Sequence, residues 1–126
     1  MILKGKTILL VDDDDRNILA LAAVLRAVGP AIITAKDGME CLEKISLYPA
    51  IDLVLLDMMM PVMDGYQTLR QMRSQPHTQN LPVIALTAMA MQGDKQKCLA
   101  AGANEYCSKP VDMDMLLTQI GQLLHL

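Results

Sequence analysis

The chain of 126 residues contains no Phe, no Trp and only three Tyr. Core bulk must therefore come from aliphatic side chains and from eleven Met, whose flexible thioethers fill irregular gaps. Basic clusters are missing too. The net charge is −3 and no run of Lys or Arg offsets it, which excludes the electrostatic footprint of a nucleic-acid binder. No apolar run approaches the roughly 20 residues that a membrane span needs, and the opening "MILKGKT" is too short for a signal peptide. The chain is thus expected in the cytoplasm, apart from membranes and nucleic acid. Cysteine is scarce: Cys41, Cys98 and Cys107 are widely spaced, with no CxxC pair. An odd, scattered set supports neither a disulfide framework nor a zinc site, so all three read as small core residues. His77 lies in a polar loop and His125 at the C-terminus, neither placed as a nucleophile or as one of a ligand pair.

What is present is ordinary for a globular protein, with 52% apolar and 20% charged residues. The length suits a single domain over residues 1–126. Apolar runs alternate with segments of helical period throughout. Strands are expected at 7–11, 31–35, 51–57, 81–87 and 104–108. Helices are expected over 16–29, 37–48, 64–74, 92–102 and 112–126, the fourth being the weakest. In the first helix Ile18, Leu21, Ala22, Leu25 and Val28 share one face, and Gly29-Pro30 stops it. Asp37 and Asp64 stand where helix caps belong. Five βα units imply right-handed crossovers and a parallel sheet covered on both faces. The expected fold is α/β, a doubly wound five-stranded sheet in the order 2-1-3-4-5. Such sheets bind ligands beyond the carboxyl ends of their strands, where the order reverses, here between strands 1 and 3.

The stretch "TILLVDDDDRN" runs a buried strand into four aspartates. Two carboxylates about 4 Å apart repel by roughly 4 kcal/mol at an effective dielectric of 20. A helix start favours an acidic residue by only about 0.3–1 kcal/mol. Asp14 and Asp15 are accounted for as the solvated start of the helix, one of them its cap. Asp12 and Asp13 need another reason. The topology brings them to the same edge as Asp57 from strand 3, Thr87 from strand 4 and Lys109-Pro110 after strand 5. Acids crowded in this way suit a hard divalent cation, and few protein carboxylates with positions to spare suit Mg²⁺ better than Ca²⁺. A carboxylate flanked by Mg²⁺, an ammonium and a hydroxyl is also a workable acceptor for a phosphoryl group.

These residues resemble the receiver domains of two-component response regulators, which are flavodoxin-like (βα)5 folds. "ILLVDDD" is similar to the receiver acidic pair and "LVLLDMMMPVMDG" to the segment around the accepting aspartate. "PVIALTA" resembles the Thr/Ser strand, and "GANEYCSKP" the Tyr strand ending in Lys-Pro. The likeness spans residues 5–125. It implies that Asp57 accepts the phosphoryl group, with Asp13 and Asp57 ligating Mg²⁺ directly, Asp12 through water, and the backbone carbonyl of Met59 adding a ligand. It implies further that Thr87 and Lys109 contact the phosphoryl oxygens and that the Lys109-Pro110 bond is cis. Thr87 and Tyr106 would switch, remodelling the face made by helix 4, strand 5 and helix 5. The implied partners are a histidine kinase or histidine phosphotransfer protein upstream and a protein target on that face. The chain would be a single-domain regulator or the receiver of a larger protein, with most likeness to receivers that work with hybrid histidine kinases. It would not be a turnover enzyme. Met59 and Met89, two residues beyond Asp57 and Thr87, would hinder water and lengthen the life of the acyl phosphate. Two rivals remain open. A haloacid-dehalogenase-type phosphohydrolase needs D-x-D-x-T/V, but Arg16 stands where Thr or Val should be. An interaction module that works without phosphorylation would not require the full set of residues present here.

Overall fold

A computed structural model describes residues 3–88 and 92–126. Five strands and five helices alternate: β1 Thr7–Val11, α1 Asp15–Arg26, β2 Ala31–Ala35, α2 Gly38–Leu47, β3 Leu53–Asp57, α3 Gly65–Arg73, β4 Val83–Thr87, α4 Asp94–Ala101, β5 Glu105–Ser108 and α5 Met113–Leu123. The sheet is parallel in the order β2-β1-β3-β4-β5. Successive side chains of a strand point to opposite faces, so each strand feeds two cores. Leu9, Val11, Val54, Leu56, Val83 and Ala85 meet Cys41, Ile45, Leu69, Met72 and Cys98, on α2, α3 and α4. Ile8, Leu10, Leu53, Leu55, Ile84 and Leu86 meet Ile18, Ala22, Leu25, Leu116 and Ile120, on α1 and α5. Every residue of β3 and β4 is buried, which explains their unbroken apolar runs.

Helix starts follow the expected chemistry. Asp14 caps α1 by accepting from the Arg16 N–H at 2.9 Å, and Asp37 caps α2 by accepting from the Glu40 N–H at 2.8 Å. Asp64 caps α3 in a reciprocal box: its carboxylate accepts from the Gln67 N–H, and its own N–H donates to Gln67 Oε1. Asp112 does the same work for α5, accepting from the Met115 N–H.

Strands 3 and 4 begin two residues later than the apolar runs suggest. Before β3, Asp52 instead closes a loop, its carboxylate accepting from the Thr7 N–H and its N–H donating to the Thr7 carbonyl, both at 2.8 Å. Before β4, Pro82 has no N–H for a ladder and contributes only its carbonyl, which accepts from Val54 N–H. Helix α1 ends at Arg26, three residues short of the Gly-Pro stop, and Gly29 takes a φ of 109° in the turn. At the end of the sheet away from the acids, Arg73 joins three segments. Its guanidinium donates to the carbonyls of Gly102 (2.9 Å) and Thr78 (2.9 Å) and to Asn104 Oδ1 (3.0 Å). Among the described residues no helix is long and apolar enough to cross a membrane.

Candidate functional site

The carboxyl ends of the central strands converge. Asp12 directly follows β1, and Asp57 is the last residue of β3, paired with β1 at Leu10↔Leu55 and Val11↔Leu56. Asp12 and Asp57 are buried, at 2% and 3% exposure, whereas Asp13 faces solvent. One carboxylate oxygen from each of the three lies within 4.8 Å of the others. The Lys109 ammonium enters the same cluster, 2.9 Å from Asp12 Oδ2 and 3.6 Å from Asp57 Oδ1.

Backbone donors hold the two buried acids. The Asp14 N–H donates to Asp12 Oδ1 at 2.9 Å, and the Met59 N–H donates to Asp57 Oδ1 at 3.1 Å. Each bond spans two residues, so the tight turn after the strand orients the carboxylate that ends it. Lys109 is held from the neighbouring strand, its N–H donating to the Thr87 carbonyl at 2.8 Å. The Lys109-Pro110 bond is cis, as the resemblance implied. Thr87 ends β4 beside Asp57, in the register Asp57↔Leu86, and is buried.

Tyr106 lies apart from the acids. It pairs with Ala85, two residues before Thr87, and packs half-buried against the α2–α3–α4 core. Its carbonyl accepts from Gln119 Nε2 of α5 at 3.1 Å, which ties the edge strand to that helix. Met59 is 53% exposed. Met89, expected to flank the site beyond Thr87, lies outside the described residues.

The electrostatics show what the cluster lacks. Three carboxylates about 4.8 Å apart repel pairwise by about 3.5 kcal/mol each at an effective dielectric of 20. Lys109 offers about 5 kcal/mol of attraction to each of its two carboxylates on the same scale. These terms nearly cancel, so the cost of burying Asp12 and Asp57 stays uncompensated. Burial pushes the Asp57 carboxyl up to about 6, with the Asp12 and Asp13 charges adding to the rise, while the Met59 N–H and Lys109 oppose it. Burial pulls the Lys109 ammonium down, but the hydrogen bond from Asp12 and the charges of Asp57 and Asp12 more than reverse this, leaving it raised. The set carries a net charge of about −2 and offers only oxygen donors. It therefore fits a hard divalent cation with few protein ligands, as Mg²⁺ takes, and offers too few oxygens for the six to eight of Ca²⁺.

A groove of about 260 Å³ opens beside the cluster between α1 and the segment after β5. Asp12, Asn17 and Lys109 form its polar part, and Leu21, Val24 and Met113 line its walls. Asn17 Nδ2 lies 3.5 Å from Asp12 Oδ2. Sequence reasoning passed over Asn17; the available signal was a polar residue in the first helical turn after the acidic pair.

Residues 8–121 match the family described as response regulator receiver domain. The chain is 37% identical over 116 residues to the response regulator PleD of Caulobacter vibrioides, covering 92% of this chain and 25% of PleD. It is 36% identical over 110 residues to the signal transduction histidine-protein kinase BarA of Escherichia coli, covering 87% of this chain and 12% of BarA. It thus spans only a minor part of these curated relatives. Among solved structures it is similar to the receiver domain of the sensor histidine kinase PA1611 of Pseudomonas aeruginosa, with a TM-score of 0.88 and 35% identity over 97% of this chain and 99% of that one. That structure is described with a magnesium ion coordinated in its active-site cleft. The signal receiver domain of a histidine kinase from Syntrophus aciditrophicus gives a TM-score of 0.87 at 30% identity, over 96% of this chain and 91% of that one.

Proposed function

The chain belongs to the response regulator receiver family, and from that premise we propose that it is a phosphorylation-controlled switch in a two-component phosphorelay, with Asp57 as the phosphoacceptor. The observation that carries this reading is the convergence of Asp12, Asp13, Asp57 and Lys109 within ion-pair reach at the carboxyl edge of the sheet. Asp57 is preferred over Asp12 as acceptor on local grounds. Asp12 has its two oxygens engaged by the Asp14 N–H and by Lys109, whereas among the described residues the Met59 N–H and Lys109 both address Oδ1 of Asp57. Oδ2 of Asp57 is then the oxygen that attacks.

In the transfer an Asp57 Oδ2–P bond forms as the N–P bond of a phosphohistidine on the partner breaks, and the departing imidazole nitrogen takes a proton. The partner is a histidine kinase or a histidine phosphotransfer protein. Asp12, Asp13, Asp57 and the Met59 carbonyl are assigned to Mg²⁺, which when bound offsets charge on the phosphoryl oxygens. Lys109 supplies a cation to the same oxygens, and the Thr87 hydroxyl a hydrogen bond. The added charge biases a two-state equilibrium through Thr87 and Tyr106, and the face of α4, β5 and α5 binds or releases a protein target. We assign residues 1–126 to one such domain acting in the cytoplasm, a signalling module and not a turnover enzyme. The test is intact mass after incubation with Mg²⁺ and a small-molecule acyl phosphate or phosphoramidate. The parent protein gains one phosphoryl group and Asp57→Asn gains none; equal labelling of the two, or none of the parent, overturns the assignment.

A further inference from the structure

Sulfur is plentiful in this chain, and its distribution is uneven. Cys41, Cys98 and Cys107 are buried at 0%, 0% and 2% exposure, and burial raises each thiol, that of Cys41 to about 12. Thiolate chemistry is closed to all three. Met58, Met60 and Met72 are buried as well. The exposed thioethers among the described residues are Met39, Met59 and Met115, each just over half exposed. Of these, Met59 donates its own N–H to Oδ1 of Asp57, at 3.1 Å. Two residues of chain span at most about 7 Å, so any chemical change at position 59 occurs beside the acceptor carboxylate.

We infer that Met59 is a peroxide-sensitive modification site, and that its sulfoxide shortens the life of the acyl phosphate on Asp57; the second half rests on the function proposed above. The oxidant is hydrogen peroxide. A sulfur lone pair of Met59 attacks one peroxide oxygen, an S–O bond forms as the O–O bond breaks, and the departing hydroxide takes the proton of the transferred oxygen to leave as water. Sulfur is oxidised by two electrons and peroxide is reduced by two. The product exchanges a weak acceptor for a strongly polar S=O group. Hydrolysis of an acyl phosphate needs a water aimed at phosphorus. An apolar thioether gives that water no partner, whereas a sulfoxide oxygen accepts its hydrogen bond. The expected gain in hydrolysis is about 2- to 10-fold, the rate equivalent of one ordinary hydrogen bond.

The experiment treats the full chain with hydrogen peroxide, maps added oxygen by peptide mass, then phosphorylates it with Mg²⁺ and a small-molecule phosphodonor and times the loss of the phosphoryl group. Parent, Met59→Leu and Met59→Gln are compared, each against its own untreated sample. The expected result is an added oxygen on Met59, faster loss in the treated parent, no change on treatment of Met59→Leu, and untreated Met59→Gln matching the oxidised parent. Acceleration that persists in Met59→Leu assigns the effect to another methionine and overturns the proposal. So does a Met59 left unmodified while Met39 and Met115 are oxidised. Failure of the untreated parent to gain a phosphoryl group defeats the proposed function and the lifetime effect together, while peptide mapping still decides the modification site.

Discussion

Replacing Asp57 by Asn should stabilise the metal-free protein, although it destroys the proposed acceptor. The carboxyl of Asp57 rises from an ordinary 3.8 to about 6 on folding, because the group is 3% exposed and sits among two other acids. A rise of about two units corresponds to roughly 3 kcal/mol between the protonated and ionised forms. The Asp13 share is screened because that side chain is exposed, so about 1.5–3 kcal/mol is expected. The sign follows from the direction of the shift. A folded value above the unfolded one means that the proton favours the native state. That stabilisation is complete below pH 3.8 and is lost as pH rises through about 6. Asn mimics the protonated acid at every pH. Urea unfolding in a chelator should therefore find the two proteins alike at about pH 4, with Asn more stable at about pH 8 by that margin. At about 4 °C per kcal/mol the difference is readily seen in Tm as well. Saturating Mg²⁺ should then reverse the order, adding about 2.7 kcal/mol to the parent at a hundredfold excess over Kd and much less to the variant. A stability difference that does not vary with pH, or an Asn variant weaker than the parent at pH 8 without metal, would refute the idea that burial and crowding strain this carboxylate.

Other consequences concern the scaffold. Gly65→Ala would place a Cβ 2.6 Å from the Met58 Cα and 2.9 Å from the Asp57 carbonyl; denaturant titration should show a loss of about 1–3 kcal/mol, with Mg²⁺ binding weakened because the displaced backbone carries Asp57. Val62 is 97% exposed with a φ of 67°, a conformation hostile to a branched side chain. Val62→Asn should raise stability by about 0.5–1 kcal/mol in the same assay, because Asn tolerates this region and no packing is lost. Arg73→Ala should cost about 2 kcal/mol by removing donors to Gly102, Thr78 and Asn104 together. Arg73→Lys should recover less than half of that, since one ammonium cannot span three acceptors set around a planar fork.

Much of this architecture could be read from residue order. Strands β3 and β4 announce themselves as apolar runs because both faces of a parallel sheet are covered. The helix starts were legible in Asp37 and Asp64, whose side chains have one plain use just ahead of a helical segment. The strand starts were less so, because hydrophobicity continues through Ile51 and Leu81 whereas the ladder depends on backbone groups that Asp52 and Pro82 commit elsewhere. Asn17 and the groove beside Asp12 were invisible, being made by α1 and the segment after β5 only once both pack on one face of the sheet.

The order of residues determined that the chain alternates strand and helix, that acids end strands 1 and 3, and that a Lys-Pro pair follows strand 5, since periodicity and turn chemistry are local properties. Tertiary structure alone decided that Lys109 reaches Asp12 at 2.9 Å and Asp57 at 3.6 Å, and that Asp57 loses its water while Asp13 keeps it. Charge–charge energies and desolvation depend on distances and burial between segments far apart in the chain, and these take values only when the sheet has closed its register.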